Sequence, residues 1–345
     1  MRITAVLCVR NEGAFLLEWL AHHRACGITD FLVFSNDCDD GTDAMLDRLE
    51  ALGWLIHQRN PGPHPEGPQW SALKRADRHP LVTGADWLLS LDIDEFVNVH
   101  VGDRTIPALL AALPEATAIT LTWRLFGNAG VVRFEDAPVT ETFTRAAPGV
   151  LHWPWRGLLF KTLVRNDGSY RKLGVHRPRA PVETRMAGQR WFDGSGRRLA
   201  DVFHRGRIFS DVGRDPYGLV QLNHYPLGAV ESFVLKRYRG RGVHADNGLD
   251  AGYWVERNFN AVEDRSVLEL DSRALRENLR ADAVLGRLHA AAVAWRRAQF
   301  RRLMQEDAWR SLYGQLLMAG PTRVLSQEEA ESIWKPHIRA GQGRA

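Results

Sequence analysis

The sequence predicts an α/β fold: a mostly parallel, twisted sheet flanked by helices, followed by a helical C-terminal extension. Three observations carry that expectation. In the first 57 residues, short apolar runs (3–9, 31–34, 54–57) alternate with amphipathic segments. A further apolar run, Trp87–Leu91, leads straight into Asp92-Ile93-Asp94-Glu95. Beyond residue 280 the apolar residues recur at helical spacing instead.

Ile3–Val9 reads as a continuous apolar strand, the pattern of a strand buried on both faces of a parallel sheet. It ends at Arg10-Asn11-Glu12. Phe15, Leu16, Trp19 and Leu20 then fall on one side of a helix that Gly27 stops. Phe31–Phe34 is a second strand, ending at Ser35-Asn36-Asp37. Asp39, Asp40 and Thr42 are N-cap candidates for a second helix, with Met45, Leu46, Leu49 and Leu52 on one face. Trp54–His57 is a third strand. Strand–helix–strand–helix–strand implies parallel pairing with right-handed crossovers.

Residues 60–68 form a Pro/Gly loop and Gln69–His79 a helix. Trp87–Leu91, Ala118–Thr122 and Leu158–Val164 continue the sheet. Residues 127–155 and 177–216, rich in Gly, Pro and Arg, read as loops or insertions. The tail is helical from about Ala281 to Met318, with Leu285, Leu288, Ala292 and Trp295 in register, and Gly320-Pro321 ends it. This divides the chain into residues 1–270, with halves at 1–125 and 126–270, and a helical extension at 271–345.

Of the 345 residues, 45% are hydrophobic and 25% charged, an ordinary globular composition. The net charge of +4 is uneven: from Arg273 onward there are 13 Lys+Arg against 7 Asp+Glu, a surplus of 6, so the remainder carries −2. A basic helix bearing Arg296, Arg297, Arg301 and Arg302 suits peripheral contact with an anionic membrane, or a homodimer. No nucleic-acid motif accompanies it. Cys8, Cys26 and Cys38 have neither disulfide-framework nor zinc spacing, which fits a reducing cytosol. Residues 3–9 are too short for a signal segment, and no run approaches the roughly 20 apolar residues of a membrane span. The expected location is cytoplasmic, at most peripheral at the inner face of the membrane.

Asp92, Asp94 and Glu95 are three carboxylates within four residues at the end of an apolar strand. Like charges packed so closely repel without a cation. Along an extended chain positions 92 and 94 project to one side, which suits two oxygen ligands on Mn²⁺ or Mg²⁺. Strand ends are also where open α/β sheets bind ligands. Arg10-Asn11-Glu12 and Asn36-Asp37 end the first two strands on the same edge. Arg10 suits a phosphate; Asn36 and Asp37 suit a base or ribose, or serve only as turn residues. Gln69 and Lys74 precede the acidic motif and approach the same strand ends from their helix. Lys161 and Arg165 share a strand face and suit phosphates or acidic neighbours. Tryptophans 123, 153, 155 and 191 suit sugar stacking or core packing.

The segments VLCVRNEGAFLLEWLAHHRACGITDFLVFSNDCDDGTD, WLLSLDIDEFVN, WRLFGNAG, FKTLVRN, GVHRP and NHYPLGAVESFVLKRYRG, spread over residues 3–242, resemble the bacterial family 2-like glycosyltransferases of the LDIDEF type. More distantly they are similar to family 92 glycosyltransferases. The resemblance implies a GT-A fold over residues 1–270, a UDP- or GDP-sugar donor, and transfer to a hydroxyl of a glycan or glycolipid in bacterial surface polysaccharide synthesis. Arg10, Asn11, Glu12, Asn36 and Asp37 would line the nucleotide pocket, and Asp92 and Asp94 would hold the metal and diphosphate. SNDCDDGT stands where an acidic DDGS-type turn is usual, leaving the choice of nucleotide open. By the same resemblance His224 would be a third metal ligand, with His176 its competitor, and Lys236 would grip the diphosphate. The family 92 likeness implies inversion, whereas a His–Lys pair also occurs in retaining enzymes. Inversion needs a carboxylate base; Glu95 and Asp246 are candidates, with Asp136, Glu141 and Glu231 behind them, and Glu95 is alternatively a support for the metal ligands. Two rivals remain: a sugar nucleotidyltransferase, which would carry a Gly-rich basic loop after the first strand, and a non-catalytic nucleotide- or glycan-binding protein.

Overall fold

Side-chain alternation along the first strand organises the molecule. In the computed structural model, which describes residues 1–240 and 249–342, strand β1 (Ile3–Val9) sends Ile3, Ala5, Leu7 and Val9 to one face of the sheet. There they meet Leu16, Leu17 and Leu20 of helix α1 (Gly13–Ala25) and Met45, Leu46 and Leu49 of α2 (Thr42–Ala51). Val6 faces the other way and packs with Leu32 and Phe34 of β2 (Asp30–Ser35) against Ala72, Leu73 and Ala76 of α3 (Pro68–Ala76). Helices thus cover both faces, the arrangement that continuous apolar strands demand.

The remaining strands of the central sheet are β3 (Ile56–Arg59), β4 (Trp87–Leu91), β5 (Glu95–Val99), β6 (Ala118–Leu125), β7 (Phe160–Arg165) and β8 (Val220–His224). Their order is β3-β2-β1-β4-β7-β6-β8-β5, and the short strand Trp191–Phe192 adds to β6. β3, β2, β1 and β4 run parallel, as the sequence predicts. β7 is antiparallel to both β4 and β6, β6 and β8 are parallel, and β5 closes the far edge antiparallel to β8. The fold is the expected α/β class, with a mixed second half. A connection of only Asp92–Asp94 joins β4 to β5, which stand four places apart in this order. The sheet must therefore curl strongly on itself, and the acidic residues sit at the seam.

Two strands, β5 and β8, do not announce themselves in the sequence. Both are fully buried, yet they carry Asn98, Gln221 and Asn223. These amides satisfy one another and Ser266, with Gln221 Nε2 to Asn223 Oδ1 at 2.7 Å and Asn98 Nδ2 to Ser266 Oγ at 2.8 Å. A polar ladder inside the core erases the apolar signature of a buried strand.

After α4 (Val230–Arg239), four helices end the described chain: α5 (Arg273–Ala281), α6 (Ala283–Leu303), α7 (Asp307–Met318) and α8 (Gln327–Gln342). The single helix expected from about 281 to 318 is broken at residues 304–306. Asp282 starts α6 by accepting from the backbone N–H of Val284 and Leu285, and it pairs with Arg48 of α2 at 2.6 Å. Leu279, Leu285 and Ala292 belong to the same core cluster as β1.

Candidate active site

The acidic motif is a tight turn, not the extended run expected from its spacing: the Glu95 N–H returns to the Asp92 carbonyl at 3.1 Å. Its backbone is clamped. The fully buried Trp19 of α1 donates from Nε1 to the carbonyls of Asp92 (3.2 Å) and Glu95 (3.0 Å), and the Tyr225 N–H donates to the Asp94 carbonyl at 2.8 Å. Glu95 is fully buried. Its Oε1 accepts from Trp123 Nε1 at 2.6 Å and its Oε2 from the Asp92 N–H at 2.8 Å, with Lys161 Nζ 3.5 Å away. Burial pushes this carboxyl up to about 8; Lys161 opposes the rise, while Asp92 and Asp94 add to it. Glu95 lines neither of the two large cavities beside the turn.

The turn aims Asp92 and Asp94 into one crevice of about 470 Å³. Asp92 accepts from Gln69 Nε2 on Oδ1 (2.8 Å) and from the fully buried Lys161 Nζ on Oδ2 (2.8 Å). Burial disfavours a charged Lys161, but Asp92 and Glu95 outweigh it and raise its pKa. Asp94 Oδ2 lies 2.6 Å from Lys236 Nζ and 3.7 Å from His224 Nε2. Burial works against ionising Asp94, yet Lys236 and His224 hold its carboxyl well below the usual range. Burial likewise keeps His224 neutral by lowering its pKa, against the pull of Asp94. The His224 ring lies against Trp123, centroids 4.1 Å apart, and its Nδ1 has no hydrogen-bond partner.

Do these groups suit a divalent cation? Carboxylate and neutral imidazole are proper donors, and Asp94 and His224 are near enough for one ion to touch both. Among the described residues, however, no three His, Cys, Asp or Glu side chains form a ready cage. Asp92 is turned toward Gln69 and Lys161. Two protein ligands match an ion of the Mg²⁺ type, whose shell is completed by water and substrate phosphates.

The three strand ends do converge. Arg10, Glu12, Asn36 and Asp37 line the crevice together with Asp92, Asp94, His224 and Lys236. Asn11 and Asp37 adopt left-handed backbone (φ 55° and 45°), as Asn and Asp tolerate where a chain must turn sharply off a strand. Asn11 Oδ1 accepts from the Asp39 N–H at 2.9 Å. The Asn36 amide is spent internally: it donates to the Val9 carbonyl (3.0 Å) and accepts from Asn60 (2.6 Å). Its role is to tie strand ends together, and the exposed Asp37 carries the polar contact surface there. Glu12 is buried and paired with Arg239; burial raises its pKa, and Arg239 and Arg296 oppose that.

Other expected residues lie elsewhere. Lys74 is half-exposed, pairs with Glu66 at 2.6 Å and does not line the crevice. Its place on α3 turns it outward while Gln69, one turn earlier, turns in. His176 donates from Nδ1 to the Phe160 carbonyl at 3.0 Å and makes no contact with Asp94. Lys161 enters the site, but Arg165 donates to the Ala116 carbonyl at the other end of β7. Trp123 lines the crevice, whereas Trp191 is wholly in the core. Asp246 lies outside the described residues. Arg239, unassigned within the segment NHYPLGAVESFVLKRYRG, sits one turn after Lys236 on α4, so both reach the same wall.

No family model matches the chain. A glycosyltransferase family 92 protein of Oryza sativa subsp. japonica is 23% identical over 148 residues, 39% of this chain and 23% of the relative. A family 92 protein of Ricinus communis is 22% identical over 234 residues, 67% of this chain and 36% of the relative. The chain thus spans about a third or less of these relatives' lengths. Among solved structures, S. aureus TarS 1-349 in complex with UDP aligns over 48% of this chain and 47% of its own, at 15% identity and a TM-score of 0.31. Among the described residues no helix is long and apolar enough to cross a membrane.

Proposed function

We propose that the crevice binds a UDP- or GDP-sugar and that the protein transfers the sugar to a hydroxyl of a glycan or glycolipid. The observation that carries this reading is the meeting of Asp92, Asp94, Lys236, Arg239 and Arg10 in one crevice at the carboxyl ends of parallel strands. The names of the matched relatives, glycosyltransferase family 92 proteins, support it. Residues 1–125 would form the donor half, 126–270 the acceptor half and 271–345 a helical extension. The resemblance of the motifs favours inversion and a place in bacterial surface polysaccharide synthesis.

In the transfer, the bond from the anomeric carbon to the diphosphate oxygen breaks, and a bond to the acceptor oxygen forms. Of the three N–H donors of Lys236, one meets Asp94 and one the Pro226 carbonyl at 2.7 Å; the third is free for a departing phosphate oxygen. Arg239 uses one nitrogen on Glu12 and the Arg10 carbonyl and keeps its remaining N–H groups for the same task. Asp94 and His224 would hold Mn²⁺ or Mg²⁺ beside the diphosphate, and such an ion would neutralise charge there. Asp92, fixed by Gln69 and Lys161, orients the donor. Glu95, with both oxygens engaged, holds the turn in shape rather than taking the acceptor proton. Glu12, which lines both the crevice and the neighbouring cavity, is a carboxylate placed to act as base; Asp246, the other candidate, lies outside the described residues.

Titration calorimetry with UDP and GDP in the presence of Mn²⁺ tests the donor site. Saturable binding of one of them, weakened tenfold or more in Asp94→Asn and Lys236→Met, is expected. Wild-type affinity in both variants refutes the assignment.

A further inference from the structure

A second cavity, about 380 Å³, adjoins the donor crevice and is built differently. Phe15, Phe134, Phe143, Val139, Leu227 and Leu235 make most of its wall apolar. It meets the crevice at Glu12, Asp94, Lys236 and Arg239, which line both spaces. An apolar hollow opening onto reacting groups is a ready place for a second substrate.

Arg296 of α6 is the exception in that wall. Expected on a basic outer face, it is only 5% exposed and lines this cavity. Its guanidinium carbon lies 4.5 Å from the ring centre of Phe15 and 5.0 Å from that of Phe134. Its Nε has no hydrogen-bond partner, and no described carboxylate pairs with it. Glu12, which lines the same cavity, is taken by Arg239. Asp40 accepts from the Gly13 N–H and from Thr42. Two aromatic faces offset part of the desolvation of a guanidinium, but they leave its in-plane donors unfilled. A buried, forked cation with no carboxylate bonded to it, set in an apolar wall, is complementary to an oxyanion attached to an apolar body.

We infer that this cavity is the acceptor subsite and takes an amphiphile bearing a phosphate- or carboxylate-type oxyanion beside an apolar chain or ring, with Arg296 as the partner of the oxyanion. As an acceptor assignment it rests on the donor reading of the adjoining crevice. As a binding site it stands on the cavity alone.

The test is calorimetry on the full chain with octyl phosphate, octyl β-glucoside and inorganic phosphate. Octyl phosphate is expected to bind at least tenfold more tightly than either of the others. Arg296→Met should lower its affinity at least tenfold and leave octyl glucoside within about twofold, while Val131→Trp, which fills the cavity with Arg296 intact, should weaken both amphiphiles. Circular dichroism reports whether each variant folds; should Arg296→Met not fold, the wild-type selectivity and Val131→Trp decide. Equal binding of octyl phosphate and octyl glucoside overturns the inference, as does octyl phosphate binding that Arg296→Met does not change. Inorganic phosphate binding as tightly as octyl phosphate assigns the anion to the donor crevice and overturns it too. None of these arms contains a nucleotide. Loss of amphiphile binding with UDP or GDP binding intact sinks the acceptor subsite alone, and the reverse result sinks the donor reading alone.

Discussion

Replacing Lys161 with methionine asks whether the acidic turn is held by a buried cation. Lys161 Nζ stands 2.8 Å from Asp92 Oδ2 and 3.5 Å from Glu95 Oε2, in a side chain with no exposure. At an effective dielectric of about 20 these separations correspond to gross attractions of about 6 and 5 kcal/mol. Most of that is offset by desolvation, and removing one member of a buried pair costs about 3–5 kcal/mol net. Methionine fills the stem but leaves both carboxylates without their cation. Glu95 can escape by taking a proton, since its pKa is already about 8 and Lys161 is what restrains it. The loss should therefore be near 3 kcal/mol at pH 6 and grow toward pH 9, where the wild-type carboxylate is ionised and paired (about 5 kcal/mol at most). The assay is urea unfolding of Lys161→Met, Glu95→Gln and the double variant at both pH values. A double-mutant cycle should give a coupling of about 2 kcal/mol at pH 9, smaller at pH 6. A loss below about 1 kcal/mol for Lys161→Met, or zero coupling at both pH values, would refute the idea that Lys161 anchors the turn.

Trp19→Phe removes the indole donor shared by the Asp92 and Glu95 carbonyls and should cost about 1–3 kcal/mol in urea unfolding, with weaker nucleoside diphosphate binding; intact binding would show that the turn keeps its shape without the clamp. His224→Ala should weaken Mn²⁺ binding in calorimetry, and an unchanged affinity would remove it from the ligand set. Burial lowers the His22 pKa from 6.5 to about 4, while its Nε2–H meets the Val97 carbonyl at 2.8 Å. Because the folded value lies below the unfolded one, His22 contributes stability that is whole above pH 6.5 and is lost as pH falls toward 4. The loss is about 3 kcal/mol at 1.36 kcal/mol per pH unit. His22→Gln should flatten that part of the stability–pH curve; an unaltered slope would mean His22 does not stay neutral in the fold.

Much of the first half of the sheet can be read from the chain because its strands are apolar throughout. β1, β2 and β4 are continuous runs whose ends name the crevice residues Arg10, Asp37 and Asp92 directly. The second half hides its strands because β5 and β8 bury Asn98, Gln221 and Asn223 in mutual hydrogen bonds. Residue type also says little about which partners a side chain already has. Asn36 looks like a ligand group, yet its amide is spent on Val9 and Asn60. Lys74 and Gln69 are equally polar and close in sequence, but helical phase sends one to solvent and the other to Asp92. Arg296 belongs to a basic run that reads as surface; packing of α6 against α1 turns it inward between two phenylalanines. Spacing alone does not join Asp94 to His224, 130 residues apart; the family resemblance implies the link, and β8 brings its end beside the acidic turn.

Product analysis tests the proposed sugar transfer most directly. Incubation of the purified chain with Mn²⁺ and a panel of UDP- and GDP-sugars should release a nucleoside diphosphate from one of them, through slow transfer to water in the absence of acceptor. Asp94→Asn and Lys236→Met should abolish that release. Pyrophosphate formed from a nucleoside triphosphate and a sugar phosphate, with no nucleoside diphosphate from any sugar donor, would contradict it.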